Sequence, residues 1–286
     1  MAFRQIWRTS PKFRIGMIIT MLLVAAALFH TPLTRLVIGD TDPLATGTYQ
    51  IFLDPSSDHP LGTDRFGRDV LGLVLVGLPN SLWTAVIGGV ISTLIGVIVG
   101  FVAGYKGGWL DALLRTFTDM MLVIPTLPLI FILARYARHL DIPTLALILA
   151  AFSWPFSARV IRSQVLSLRE RPYVELSKIT NMSDREIIVQ DILPNMLPYI
   201  GIGFAISSVG AAFALVGLTV LGLGPSDTVD LGAIIYFAQT WGVLSLGKYA
   251  ILAAPITLLI LLFLGVALIQ IGMEEFYNPR LRGAAR

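Results

Sequence analysis

Residues 172–198 read PYVELSKITNMSDREIIVQDILPNMLP and form the longest strongly charged segment in an otherwise apolar chain. Pro172 suits the first position of a short helix, where its missing N–H group is not needed. Asn181 suits the end of that helix, because Asn tolerates the left-handed backbone conformation better than most residues. The segment therefore begins with a predicted helix of about two turns and a sharp bend.

A second helix is predicted to start directly after the bend. Ser183 and Glu186 have the spacing of a capping box, and acidic Asp184 would lie in the first turn. Pro194 should stop this helix near Ile192. We therefore predict two short helices joined by a tight turn and held between more apolar segments.

The composition places these helices in an integral membrane protein. The chain is 55% hydrophobic and 14% charged, with a mean hydropathy of +0.78, whereas soluble domains carry about 25% charged residues. The absence of cysteine excludes disulfide frameworks and thiolate metal sites. The basic pI is first interpreted as membrane topology and not as a signal for nucleic acid.

The order of apolar and polar segments predicts an all-α membrane protein with six transmembrane helices and both termini cytoplasmic. The predicted parts are a cytoplasmic N-terminal segment (1–16), a first transmembrane helix (17–38), an external loop (39–79), a transmembrane domain (80–272) containing the helix pair at 172–193 and an external loop at 225–248, and a cytoplasmic tail (273–286). The first 16 residues contain four basic residues and no acid, which favours a cytoplasmic start. A cleavable signal peptide is the alternative, but no convincing small-residue cleavage site follows.

The distribution of basic residues supports this topology. Of the 21 Lys and Arg residues, six fall in predicted external segments or at the external end of a predicted span, which leaves 15 on the inside. The six are Arg35, Arg65, Arg68, Arg135, Arg138 and Lys248. This excess on the inside is what the positive-inside rule requires.

Two features of the predicted spans concern packing. Small residues recur every fourth position at Gly88, Ser92, Gly96, Gly100 and Gly104, which predicts a face where helix backbones approach closely. Pro125 and Pro128 are expected to bend a later span in mid-membrane.

One acid, Asp119, falls inside a predicted span. Arg115 lies four residues earlier on the same helix face, so a structural ion pair is favoured over a proton relay.

The predicted first external loop contains the string HPLGTDRFGRDVL at residues 59–71. Its glycines and its charges at Asp64, Arg65, Arg68 and Asp69 predict a compact loop with internal ion pairs. A metal site at His59 is disfavoured, because the other histidines, at positions 30 and 139, are not at ligand spacing.

Several strings resemble one family of transport proteins. Glu175, Ser177, Asn181 and the sequence at 192–194 resemble the EAA loop of the inner-membrane permease subunits of ABC importers. Residues 59–71 are close to the HPLGTDxxGRDVL signature of permeases for dipeptides, oligopeptides and nickel, and residues 278–282 resemble the closing Asp-Pro-Arg-Leu-Arg of that group. The departures are Leu176 and Ser177 where the family has Ala, Asn181 where it has Gly, Leu215 where it has an acid, and Leu231 where it has Trp.

The resemblance implies a type I ABC importer permease fold of the dipeptide/oligopeptide/nickel type. It implies four kinds of partner: a related second permease, two ATP-binding subunits, an extracytoplasmic substrate-binding protein and the lipid bilayer of the inner membrane. ATP and Mg would be bound by the ATPase subunits, and no cofactor is expected in this chain. Known substrates of the group include peptides, glutathione, nickel chelates and oligosaccharides, and the sequence does not choose among them.

The resemblance also implies that residues 172–193, which we call the coupling segment, dock on the ATPase. Glu175 is the predicted polar contact, apolar docking comes from Tyr173, Leu176 and Ile179, and Asn181 sets the bend. The full set of predicted coupling residues is Tyr173, Glu175, Leu176, Ser177, Ile179, Asn181, Ser183 and Glu186.

Three alternative interpretations compete with this one. An ion-coupled secondary transporter without an ATPase would show inverted repeats and several buried charges, and only Asp119 is a candidate. A structural scaffold does not account for two capped helices, and the coupling segment could be merely a solvated loop. A near match to a phosphate-binding loop at 242–248 has Tyr249 where Ser or Thr is required, so we reject it and predict no catalytic site.

Overall fold

A computed structural model describes residues 2–136, 141–225 and 228–277. Within these ranges the chain is helical and forms no β-strand. The elements are α1 (Ala2–Thr9), α2 (Pro11–Leu28), α3 (His30–Ile38), α4 (Val70–Lys106), α5 (Gly108–Val123), α6 (Thr126–Tyr136), α7 (Ile142–Arg169), α8 (Pro172–Ile179), α9 (Asp184–Glu186), a π-helical segment (Ile187–Ile192), α10 (Leu193–Val220), α11 (Leu231–Thr240) and α12 (Tyr249–Tyr277). Arg138, His139 and the string at 278–282 lie outside the described residues.

Among the residues that the structure describes, five helical stretches are long and apolar enough to cross a membrane. They are Pro11–Leu28, Val70–Lys106, Ile142–Arg169, Asp184–Val220 and Tyr249–Phe276. A sixth crossing results if α5 and the first part of α6, which are bent by 72° relative to each other, count as one span. The prediction of an all-α membrane protein with about six spans is confirmed.

The beginnings of the first two spans differ from the prediction. The first begins at Pro11, where the Ser10 side chain accepts a hydrogen bond from the Phe13 amide, and is interrupted at Phe29 before α3. The helix α4 begins at Val70, before the predicted start at residue 80. It starts there because the Asp69 carboxylate accepts the Gly72 amide at 2.8 Å, and the helix continues through Pro79.

The predicted bend near Pro125 is a complete break. The helix α5 ends at Val123, and Ile124 is extended (φ −68°, ψ 123°) as expected for a residue that precedes proline. Pro128 lies inside α6. One proline therefore breaks the predicted span and the other is accommodated within a helix.

The predicted external loop at 225–248 contains an apolar helix that the sequence reasoning missed. In α11, Leu231 and Ala238 are fully buried. Asp230 caps this helix by accepting the amides of Gly232 and Ala233 at 2.7 and 3.0 Å. The predicted loop is therefore wrong for residues 231–240, which form a helix.

The chain divides into two compact units, which we describe separately. The first comprises Met1–Ala85, Phe131–Leu145 and Ala212–Arg286. In this unit α2 packs on α12 through small residues, since a Cβ atom on Gly16 would lie 2.5 Å from the Gly265 carbonyl oxygen. This pairing was not predicted from the sequence.

The first unit also contains the loop that precedes α4. Arg68 and Asp64 are buried and form an ion pair of 2.6 Å, and Asp64 also accepts the Arg68 amide at 2.9 Å. His59 Nδ1 lies 2.8 Å from buried Asp69. The predicted internal ion pair is confirmed for Asp64 and Arg68, while Arg65 is exposed.

Among the described residues no cluster of three metal-binding side chains is present.

The second unit comprises Val86–Ile130 and Ala146–Ala211. The predicted small-residue face of α4 is its main packing surface. A Cβ atom on Gly88 would lie 2.8 Å from Ala211 Cβ, one on Gly96 would lie 2.6 Å from Ser157 Cβ, and one on Gly104 would lie 2.9 Å from the Arg162 carbonyl oxygen. The small residues therefore let α7 and α10 approach the backbone of α4.

We expect Gly100→Ala to destabilise this packing. The added methyl group would lie 2.8 Å from both the Ala158 carbonyl oxygen and Ile161 Cβ, so the helices would have to separate at a cost of about 1–3 kcal/mol. The measurement is the thermal unfolding midpoint of the purified protein. Gly210→Ala is the matched control, because no atom lies within 4 Å of its added Cβ, and an equal loss in both variants would contradict close packing as the cause.

Candidate functional site

The helix α8 of the coupling segment begins and ends as its sequence predicts. Pro172 occupies the first turn. Asn181 has φ of +62°, and its amide donates to the Lys178 carbonyl while the Met182 amide donates to the Ser177 carbonyl, both at 3.1 Å. These two bonds form a Schellman motif, which satisfies the last carbonyl groups of the helix. The left-handed residue therefore produces the tight turn.

The second helix begins with the predicted capping box. The Glu186 side chain accepts the Ser183 amide at 2.8 Å, and the Ser183 hydroxyl accepts the Glu186 amide at 3.4 Å. These reciprocal bonds satisfy two amide groups at the helix start that have no partner within the helix. The cap therefore fixes where the second helix begins.

The prediction that Pro194 ends this helix is wrong. The chain continues through the π-helical segment into α10 without interruption. The Leu193 amide donates to Ile188, five residues earlier, instead of four. This wider turn lies directly before Pro194, where a regular helix would bring the proline ring against the preceding turn. The coupling segment is therefore continuous with a candidate membrane span.

One face of the coupling segment is buried within the second unit. Val174, Ile187 and Ile192 are each at most 1% exposed. They belong to a cluster of buried side chains that also contains Phe101, Tyr105, Ile161, Val165 and Met196. Burial of such side chains contributes about 1.5–3 kcal/mol each, so this apolar face holds the segment on α4 and α7.

Polar contacts reinforce this attachment. The Tyr105 hydroxyl donates to Asp184 at 2.8 Å, and Arg169 donates to the Tyr105 carbonyl at 2.9 Å. Within the segment, the Ser177 hydroxyl donates to Asp191 at 2.7 Å and so links the two helices. The segment is thus fixed in orientation relative to α4.

The opposite face of the segment is apolar and exposed. Tyr173, Leu176 and Ile179 are 41%, 61% and 76% exposed. Val189 on the second helix is 52% exposed, and Glu175 is also exposed. Large apolar side chains that cluster on one exposed surface are typical of a protein contact site.

The predicted coupling residues therefore fall into two groups. Tyr173, Glu175, Leu176 and Ile179 lie together on the exposed face of α8. Ser177, Asn181, Ser183 and Glu186 instead form the internal link, the turn and the cap. Exposed Val189 was not predicted, because its exposure depends on the packing of Ile187 and Ile192 in the buried cluster.

A known protein family matches most of the chain. The family model described as "Binding-protein-dependent transport system inner membrane component" matches residues 96–283, which include the whole coupling segment. The chain belongs to this family. The resemblance to permease subunits of ABC importers of the peptide type is confirmed, and the alternative of a secondary transporter is not favoured.

Relatives of this inner membrane component extend the match to most of its length. The oligopeptide transport system permease protein OppC of Mycobacterium tuberculosis (strain ATCC 25618 / H37Rv) is 33% identical over 236 residues, covering 81% of this chain and 79% of the relative. The dipeptide transport system permease protein DppC of Alkalihalophilus pseudofirmus is 30% identical over 292 residues, covering 98% and 90%.

A solved structure supports the fold of the inner membrane component. A chain of the MetNI methionine ABC transporter in inward-facing conformations matches with a TM-score of 0.55 and 19% identity, covering 75% of this chain and 97% of that one. At this identity the likeness supports the permease fold alone. Together with the family and the apolar helices, it describes a multi-pass inner-membrane protein.

We expect the turn at residue 181 to depend on its left-handed conformation. Asn181→Val would place a β-branched residue at φ +62°, at a cost of roughly 1–2 kcal/mol, whereas Asn181→Gly would relieve strain. Hydrogen exchange at the Met182 amide, which closes the turn, should be roughly tenfold faster in the valine variant and not faster in the glycine variant. Equal exchange in all three proteins would show that the turn does not depend on residue 181.

Proposed function

We propose that this chain is the permease subunit of an ATP-driven importer and that its coupling segment docks on separate ATPase subunits. The main support for this proposal is that α8 presents an exposed apolar face, while the other face of the coupling segment is buried. The importer would take up peptides or a related small solute delivered by an external binding protein. The proposed docking residues are Tyr173, Glu175, Leu176 and Ile179.

The geometry of the coupling segment suits the transmission of movement. The segment is anchored on α4 and α7 by buried apolar side chains and by the Tyr105–Asp184 hydrogen bond. Its second helix continues into α10. A displacement applied at the exposed face would therefore move membrane spans, and ATP-driven closure of the ATPases would shift the population between outward-open and inward-open forms.

The proposed complex contains this chain, a related second permease, two ATP-binding subunits and an extracytoplasmic substrate-binding protein. Both termini and the coupling segment lie in the cytoplasm, which agrees with the excess of basic residues in those segments. ATP and Mg are bound by the ATPase subunits, where hydrolysis takes place. This chain contributes no cofactor and no catalytic group.

Peptides are the proposed substrate class. The support comes from the relatives named as oligopeptide and dipeptide permeases, which are 33% and 30% identical to this chain. The choice among peptides is assigned to the binding protein.

The proposal is tested by purifying the complex through a tag on this chain. The expected result is a stoichiometric ATPase and a second permease, and reconstituted vesicles that import peptide only with ATP. Purification of a folded permease without an ATPase, with uptake driven by an ion gradient, would contradict the proposal and favour a secondary transporter.

A further inference from the structure

A charged cavity lies within the second unit, between α4, α5 and α7. Its volume is about 460 Å³, and its polar lining consists chiefly of Arg115, Asp119, Arg159 and Arg162. On the α4 side the wall is formed by Val99, Gly100 and Ala103. We refer to this space as the charged cavity.

The ion pairs around the cavity leave an excess of positive charge. Arg162 is held by Asp111 through two hydrogen bonds of 2.5 and 2.6 Å. Arg159 donates to Asp119 at 2.6 Å, whereas Arg115 lies 3.7 Å from Asp119, beyond hydrogen-bond distance. Three arginines face two aspartates, so Arg115 supplies the charge that is least well compensated. The predicted ion pair of Arg115 and Asp119 is therefore present at 3.7 Å, and Arg159 is a second, closer partner of Asp119 that was not predicted.

These charged side chains are exposed, although they belong to candidate membrane spans. The side chains of Arg115, Arg159 and Asp119 are 64%, 59% and 44% exposed. Arg159 lies ten residues before the end of α7 at Arg169, or roughly 15 Å along the helix axis. Exposed charges at such a position are costly against lipid and face a water-filled cavity or a protein interior.

The two sides of α5 have opposite character. Large exposed apolar side chains occupy the side away from the cavity, namely Trp109, Leu113 and Met120, and half-exposed Phe117 stacks on Trp154 of α7. This apolar side suits lipid or an apolar partner surface. The side with Arg115 and Asp119 does not, so it requires water or a polar partner.

We infer that the charged cavity is a water-filled part of the path through the importer and that Arg115 receives the anionic group of the transported solute. A peptide carries such a group as its terminal carboxylate, which the planar guanidinium of Arg115 can bind through two hydrogen bonds. Beside Arg115, the Arg159–Asp119 pair joins α7 to α5. This inference rests on the proposed function, because it needs a transported solute.

The test uses the absence of cysteine in this chain. Val99→Cys places a thiol in the cavity wall, and Met120→Cys places one on the apolar side of α5. The intact complex in phosphatidylcholine vesicles is treated with membrane-impermeant methanethiosulfonates, one anionic (sulfonatoethyl) and one cationic (trimethylammonium-ethyl). Modification is followed by the mass of this chain.

The expected result is modification of the introduced thiol in the Val99→Cys variant and none in the Met120→Cys variant. The ratio of anionic to cationic reaction rates, relative to a free thiol, should fall roughly tenfold when Arg115→Gln is added to Val99→Cys, because one nearby charge is lost. Arg115→Lys should restore the ratio. If Arg115 had a purely structural role, the ratio of anionic to cationic rates would be the same with arginine, glutamine and lysine at position 115.

Three outcomes would overturn the inference. The cavity is not an aqueous path if Val99→Cys resists both reagents in a complex that hydrolyses ATP. Arg115 is not an anion site if the rate ratio is the same with glutamine. An anionic lipid headgroup is the ligand, and not a solute, if modification occurs in zwitterionic phosphatidylcholine but is blocked in vesicles containing anionic phosphatidylglycerol. Absence of the ATPase from the purified complex would instead refute the proposed function.

Discussion

Replacing Leu176 and Ile179 together with aspartate will separate this permease from its ATP-binding subunits. Both side chains are more than half exposed on α8, so the permease itself should fold normally. In the proposed complex each would be buried against the ATPase and contribute about 1.5–3 kcal/mol. The double variant loses both apolar contributions and must also bury two carboxylates in the contact. Association with the ATPase should therefore weaken by at least roughly a hundredfold. The measurement is the amount of ATPase that co-purifies with the tagged permease.

Two control variants isolate the docking contact. Leu244→Asp changes a similarly exposed leucine in the segment predicted to be external, and should leave ATPase recovery unchanged. Ile179→Leu keeps the apolar character of the docking face and should behave in the same way. Full recovery of the ATPase with the double aspartate variant would show that α8 is not the docking surface.

Arg68→Ala should cause a large loss of stability in the loop before α4. Arg68 and Asp64 are buried and joined by a 2.6 Å ion pair. Removing the arginine leaves the carboxylate buried without its counter-charge, which costs about 3–5 kcal/mol. The measurement is the thermal unfolding midpoint of the purified permease.

Neighbouring Arg65 provides the matched control for this loop. It is exposed, so Arg65→Ala should change stability by less than about 0.5 kcal/mol. Asp64→Ala should be as harmful as Arg68→Ala, because it removes the other half of the same pair. Equal midpoints for the variants at positions 65 and 68 would contradict the structural role of the buried pair.

Local motifs were predictable from the sequence because their parts lie close together along the chain. The capping box of Ser183 and Glu186 spans three residues, and the ion pair of Asp64 and Arg68 spans four. Asn181 was recognisable because few residue types accept a positive φ. Short-range chemistry of this kind determines the start, the turn and the cap of the coupling segment.

Contacts between distant residues were not predictable in this way. Asp119 lies near both Arg115 and Arg159, and only the packing of α5 on α7 makes Arg159 its main partner. The attachment of Asp184 to Tyr105 likewise depends on how the coupling segment folds back on α4. Sequence spacing contains no information on such pairs.

Two predictions from the local sequence were wrong, one on where a helix ends and one on where a loop lies. Pro194 would end an isolated helix, yet the preceding π turn lets the helix continue into α10. Residues 225–248 were predicted to be an external loop, yet they contain the buried helix α11, which Asp230 caps. In both cases the local sequence predicted a helix end or a loop at a place where the structure has a helix.

The most direct test of the coupling account is cysteine crosslinking from the exposed face of α8. Glu175→Cys would be the only cysteine in this chain, and single cysteines would be placed across the surface of the co-purified ATPase. We expect crosslinks at a defined subset of these positions, with yields that change when ATP is added. A folded complex that shows no crosslink from position 175 or from neighbouring positions on α8 would contradict the account.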